Sequence, residues 1–149
     1  MPGISWLFET CVRAVLDQQP KDRMPALWAM SDVSMVLLKK SDLFKTVIPS
    51  KIFESMAMGK PLIMGVEGES LELVESAGAG LAMRPESGDD LANCVLRLAE
   101  NPSMRDRLGR CGRDFVAKYY DRSVLAQRYI DAISELLANR KEAKRVSHS

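Results

Sequence analysis

Lys51 and Glu54 stand one helical turn apart, a spacing that lets an ammonium group and a carboxylate share one helix face. Ser50 precedes them at the expected start of that helix, where unpaired backbone amides favour anions. A second candidate loop is Gly65-Val66-Glu67-Gly68-Glu69, whose glycines permit close approach of backbone to a ligand. The helix expected after it would offer further N–H groups to a phosphate. Spacing alone reads Lys51 and Glu54 as a surface pair with Ser50 as an N-cap, and Glu67 and Glu69 as partners of a helix dipole.

The elements that must position these residues alternate. Val33 to Leu38 is a continuous apolar run, which predicts a strand covered on both faces in a parallel sheet. Pro61 to Val66 and Leu81 to Met83 read as two more strands. A short helix holding Met24, Leu27, Trp28 and Met30 is expected before the first, with Asp22 as its N-cap and Pro25 in its first turn. Pro49-Ser50 opens a helix carrying Ile52, Phe53, Met56 and Ala57 that closes at Gly59, and another with Leu71, Leu73 and Val74 stops at Gly78. Helices are expected over Asp89 to Glu100, Pro102 to Lys118 and Ser123 to Leu137. The last has Val124, Leu125, Tyr129, Ile130, Ile133, Leu136 and Leu137 on one stripe. Ile4 to Leu16 has helical apolar spacing, although Val12 to Leu16 also alternates as a strand would. Strands alternating with helices predict an α/β fold with a parallel sheet flanked by helices, and in such sheets ligands bind at the carboxyl ends of the strands.

Composition narrows the function. The 149 residues carry Lys+Arg 21 against Asp+Glu 20, a net charge of +1, which gives no electrostatic case for nucleic-acid binding. Hydrophobic residues at 46% and charged residues at 28% fit one ordinary globular core. Cys11, Cys94 and Cys111 have no metal or disulfide spacing, which suits a reducing, cytoplasmic setting. No run is long enough for a membrane span, and the N-terminus does not read as a signal peptide. The only histidine, His148, lies in the polar tail of residues 140–149, so histidine general-base chemistry is not expected. That tail is expected to fray, and its Arg140, Lys141, Lys144 and Arg145 read as solvated charges or a peripheral contact with anionic lipid. Met30, Met35, Met56, Met58, Met64 and Met83 read as core filler.

The stretch Pro49-Ser50-Lys51-Ile52-Phe53-Glu54-Ser55-Met56-Ala57-Met58-Gly59-Lys60-Pro61 resembles the nucleotide-sugar-binding signature of family 4 GT-B glycosyltransferases. The likeness continues through Gly68-Glu69, Glu72-Leu73-Val74, Ala77 to Gly80, Leu91-Ala92, Leu98, Arg105, Leu108-Gly109 and Tyr129, and upstream through Met24 to Leu27 and Ser31 to Val33. It spans Asp17 to Leu137 and looks most like the branch of bacterial O-antigen and exopolysaccharide transferases that handles N-acetylfucosamine-type sugars.

The resemblance implies the C-terminal Rossmann-like half of a retaining enzyme of hexosyl or N-acetylhexosaminyl transfer. That enzyme would work without metal or cofactor, take a UDP-sugar as donor and serve lipopolysaccharide or other surface-polysaccharide synthesis. Glu54 would accept hydrogen bonds from both ribose hydroxyls, while Lys51, Ser50 and the early helix amides would hold the diphosphate. Thr46 stands where many members carry a glutamate that contacts the donor sugar, and the amides of Lys45, Thr46 and Val47 would substitute. Glu67 and Glu69 would face the sugar from the second loop, where Gly68 lets the backbone approach the donor.

The likeness begins partway through that domain, so residues 1–16 read as a remnant or unrelated start and 17–139 as a partial nucleotide-sugar-binding unit. The acceptor, lipid-linked or saccharide, would be held by a domain outside this chain. No appreciable turnover is expected from the chain alone, and an unpaired sheet edge favours self-association. Two rival readings stand beside this one. One is a non-catalytic binding module or split-enzyme subunit. The other is a non-hydrolysing epimerase fragment, disfavoured because paired acidic or histidine catalytic signals are lacking.

Overall fold

The computed structural model describes residues 17–146, with side chains through residue 139. The expected segment over Ile4 to Leu16 lies outside the described residues. A 3-10 turn, Lys21–Arg23, leads into α1 (Met24–Met30), β1 (Ser34–Leu37), a second 3-10 turn (Asp42–Lys45), α2 (Ser50–Ala57) and β2 (Leu62–Gly65). Then follow α3 (Glu69–Ser76), β3 (Gly80–Ala82), α4 (Gly88–Ala99), α5 (Pro102–Tyr119) and α6 (Arg122–Val146).

The described strands form a parallel sheet in the order β1-β2-β3, with Ser34 opposite Leu62 and Leu62 opposite Gly80. β2 is the middle strand and all four of its residues are buried, as its unbroken apolar run requires. On one face Val36, Leu62 and Met64 pack with Ile52 and Met56 of α2 and Leu73 and Val74 of α3. On the other, Ile63 and Met83 pack with Cys94 and Leu98 of α4 and Leu108 of α5.

β1 departs from the expected double coverage. Ser34 and Val36 are buried, but Met35 and Leu37 remain 46% and 45% exposed. Met35 lies beside Ile63 in the register, so it shares the α4 face of the sheet, where α4 covers β2 and leaves β1 open. Of the six methionines read as core filler, Met56, Met64 and Met83 are buried. Met30 and Met35 are not, because among the described residues no layer covers α1 or the outer face of β1, and Met58, just past the end of α2, is also exposed.

Local chemistry explains other differences. Asp22 sits inside the 3-10 turn and Arg23 takes the cap position of α1 without a side-chain hydrogen bond. Pro49 caps α2, so Ser50 is its first residue and not its N-cap. α6 runs nine residues past its expected end at Leu137, to Val146, through the strong helix formers Lys141, Glu142, Ala143 and Lys144. Its apolar stripe is largely exposed, with Tyr129 at 70% and Leu136 at 69%.

Three contacts fix α2. Gly59, at φ +64, ends it and lies so close to α5 that a Cβ at Gly109 would run into the Gly59 carbonyl oxygen. Gly112 lets Met56 approach α5 in the same way. Phe53 stacks at 4.9 Å on Tyr120, just past the end of α5.

Candidate functional site

Both strand-to-helix loops singled out by the sequence lie at the carboxyl ends of β1 and β2, and they are joined. The hydroxyl of Ser70, fully buried, donates to the Val47 carbonyl at 2.6 Å. Gly68 has φ +81, and a Cβ there would collide with the backbone of Lys45. The close approach that Gly68 permits is therefore to the neighbouring loop. Glu67 lies 3.7 Å from the Lys40 ammonium and 3.9 Å from that of Lys45. Lys45 also pairs with Asp42 at 2.7 Å, which holds the Asp42 carboxyl below its usual range and the Lys45 ammonium above its own. Sequence reading did not anticipate this Lys40–Glu67–Lys45–Asp42 arrangement, because its members are brought together only by the folding of one loop over the other.

Thr46 follows the 3-10 turn and is exposed on this joined loop. Ser50 and Lys51 occupy the first turn of α2, both exposed, and Glu69 is the exposed first residue of α3. Beneath them Ser55 is fully buried, donating to the Lys51 carbonyl at 2.6 Å and lying 2.8 Å from the Ser34 hydroxyl of β1. This pair ties the first turn of α2 to the sheet, so the helix start is held by the core.

Glu54 is exposed on α2 and does not belong to the joined loops. It lines a groove of about 440 Å³ between α1 and α2, together with Lys21, Met24, Pro25, Trp28 and Met58. The groove sets one carboxylate among apolar and aromatic surface, the usual make-up of a small-molecule site. Trp28 was read from sequence only as one of the residues of the short helix before β1. Its indole nitrogen is buried and has no hydrogen-bond partner among the described residues. Ser50, Lys51 and Glu54 thus share α2, with Glu54 in the groove and the other two exposed in the first turn. Gly68 and Glu69 sit across the β2 loop. Among the described residues no group of three histidine, cysteine, aspartate or glutamate side chains could hold a metal ion. None of the described helices is long and apolar enough to cross a membrane.

A parallel three-stranded sheet between helix layers, with its candidate loops at the strand ends, is a Rossmann-like arrangement. Residues 14–115 match the family model described as glycosyl transferases group 1, more than half of the chain, and the protein belongs to that family. It is 28% identical over 119 residues to the N,N'-diacetylbacillosaminyl-diphospho-undecaprenol alpha-1,3-N-acetylgalactosaminyltransferase of Campylobacter jejuni, an alignment covering 76% of this chain and 31% of that one. Its fold matches sucrose-phosphate synthase from Thermosynechococcus elongatus with a TM-score of 0.64 at 21% sequence identity, over 83% of this chain and 30% of that one. The fold is thus that of a GT-B Rossmann-like domain. The chain spans about a third of the length of these relatives.

Proposed function

We propose that this chain is the nucleotide-sugar-binding part of a retaining glycosyltransferase of surface-polysaccharide synthesis, with a UDP-sugar as donor. The observation that carries the reading is the α1–α2 groove, in which Glu54 presents two acceptor oxygens beside an apolar wall. The ribose hydroxyls donate to Glu54. The diphosphate lies toward the first turn of α2, where Lys51, Ser50 and the unpaired amides meet it. Thr46, Gly68 and Glu69 flank the sugar from the joined loops. The transfer needs no cofactor or metal in this reading, the donor being a substrate.

The Campylobacter relative is named for transfer of an N-acetylgalactosaminyl group onto an undecaprenol-linked saccharide diphosphate, which favours an N-acetylhexosamine donor and a lipid-linked acceptor for this chain as well. In this reading such an acceptor is met at the inner face of the membrane, and the basic residues Arg140, Lys141, Lys144 and Arg145 of the C-terminal sequence favour a peripheral contact with anionic lipid from a cytoplasmic location. The exposed stripe of α6 favours a second reading, a subunit that works only against a separate acceptor domain.

The test is an NMR titration with UDP and with inorganic phosphate. UDP should move the amide signals of Glu54, Ser50 and Lys51 with a dissociation constant on the order of millimolar. Equal shifts with phosphate alone would remove the ribose argument.

A further inference from the structure

We propose that Trp28 reads the base of the donor nucleotide, its indole N–H donating to a carbonyl oxygen of the pyrimidine. The inference rests on the nucleotide reading above and adds to it the residue that distinguishes one base from another.

Among the described residues the Trp28 indole nitrogen is the one buried side-chain nitrogen or oxygen without a hydrogen-bond partner. Buried polar groups are nearly always paired, and an orphan donor forfeits the bond it would make with water. Trp28 stands in the wall of the groove that holds Glu54, and Met24, Pro25 and Met58 complete that apolar side. A nucleoside whose ribose meets Glu54 has this wall, together with Ala57, as apolar surface of the groove for its base. For the indole N–H to meet a ligand the groove wall must shift, and Met24 and Met58, unbranched side chains with three rotatable bonds each in that wall, give it the freedom to do so. A base that brings an acceptor to this point satisfies the donor, and one that does not leaves it stranded. That asymmetry is what gives a hydrogen-bonding site its discrimination.

Trp28→Phe keeps one aromatic ring in the wall and deletes the donor along with the second ring of the indole, so the indole resonance of the parent is read beside it. Calorimetry on the full chain should show UDP bound roughly tenfold more weakly by the variant, with ribose 5-phosphate, which lacks the base, bound equally by both. In the parent, the Trp28 indole N–H resonance should move downfield on adding UDP and stay in place with ribose 5-phosphate. Equal UDP affinity in parent and variant, or an indole signal that stays still while the Glu54 amide shifts, overturns the role of Trp28 and leaves the nucleotide reading standing. Absence of any UDP binding by the parent overturns both. Should the variant fail to fold, the indole resonance of the parent decides.

Discussion

At the scale of single residues, Glu54 and Lys51 separate into two roles that spacing could not distinguish. They share α2, but Glu54 turns into the groove beside Trp28 while Lys51 stays in the exposed first turn. Glu54→Gln exchanges a charged double acceptor for an amide with one acceptor oxygen. It should weaken UDP binding by about 1.5 to 3 kcal/mol with thermal stability scarcely changed, since Glu54 is exposed in the free protein. Lys51→Ala should weaken UDP and leave uridine binding as it was, because only the diphosphate meets the ammonium. Calorimetry with the two ligands checks both, and unchanged binding in both variants would dismiss the site. The helix carrying these residues was legible because Pro49-Ser50 and Gly59 bracket it. The groove was not, because Trp28 and Glu54 come from separate elements whose side-by-side packing leaves no periodic signal in either.

At the scale of elements, the position of α2 depends on its backbone contact with α5. A methyl group at Gly109 points at the carbonyl oxygen of Gly59, backbone against backbone, with no flexible side chain to give way. Gly109→Ala should therefore cost about 3 kcal/mol, seen in chemical denaturation, whereas Gly88→Ala, with open space around it, should stay within about 0.5 kcal/mol.

The turn between β3 and α4 is held differently. Arg84 grips Asp90 through two side-chain bonds of 2.7 and 2.9 Å, and its backbone N–H adds a third at 3.2 Å. These bonds hold the Asp90 carboxyl well below the usual carboxylate range. A carboxyl depressed in the folded state contributes stability above its unfolded pKa and loses it as pH falls toward the folded one. The stability gap between parent and Asp90→Asn should thus be widest near neutrality and close below about pH 4. A gap constant across that range in pH-dependent melts would show that the pair does not matter. This turn was legible only as a break after Met83, since an arginine and an aspartate six residues apart fit no local motif.

At the scale of the whole molecule, the described residues bury one side of β1 and leave the other open. The longest helix extends from the body with an apolar stripe uncovered. The continuous run Val33 to Leu38 announced a strand correctly, but an apolar residue is required by any cover, including one supplied by another chain, so the sequence could not say which face this chain closes itself. The same holds for Tyr129, Ile130, Ile133, Leu136 and Leu137, which recur at helical spacing and remain exposed along α6. Stripes of this kind are stable in water when they pair, and two copies of α6 can bury theirs against each other with Arg128, Asp131 and Glu135 left on the opposite, solvated face. The chain by itself should therefore associate, with a mass that falls on dilution in light scattering. Ile130→Lys combined with Leu136→Lys should shift it to monomer without lowering the melting point of the sheet domain, because neither side chain belongs to its core clusters. UDP binding should survive that pair of changes, since the groove lies between α1 and α2. A parent that stays monomeric at every concentration would mean that the open face of β1 and the stripe on α6 tolerate water, and that neither requires a partner.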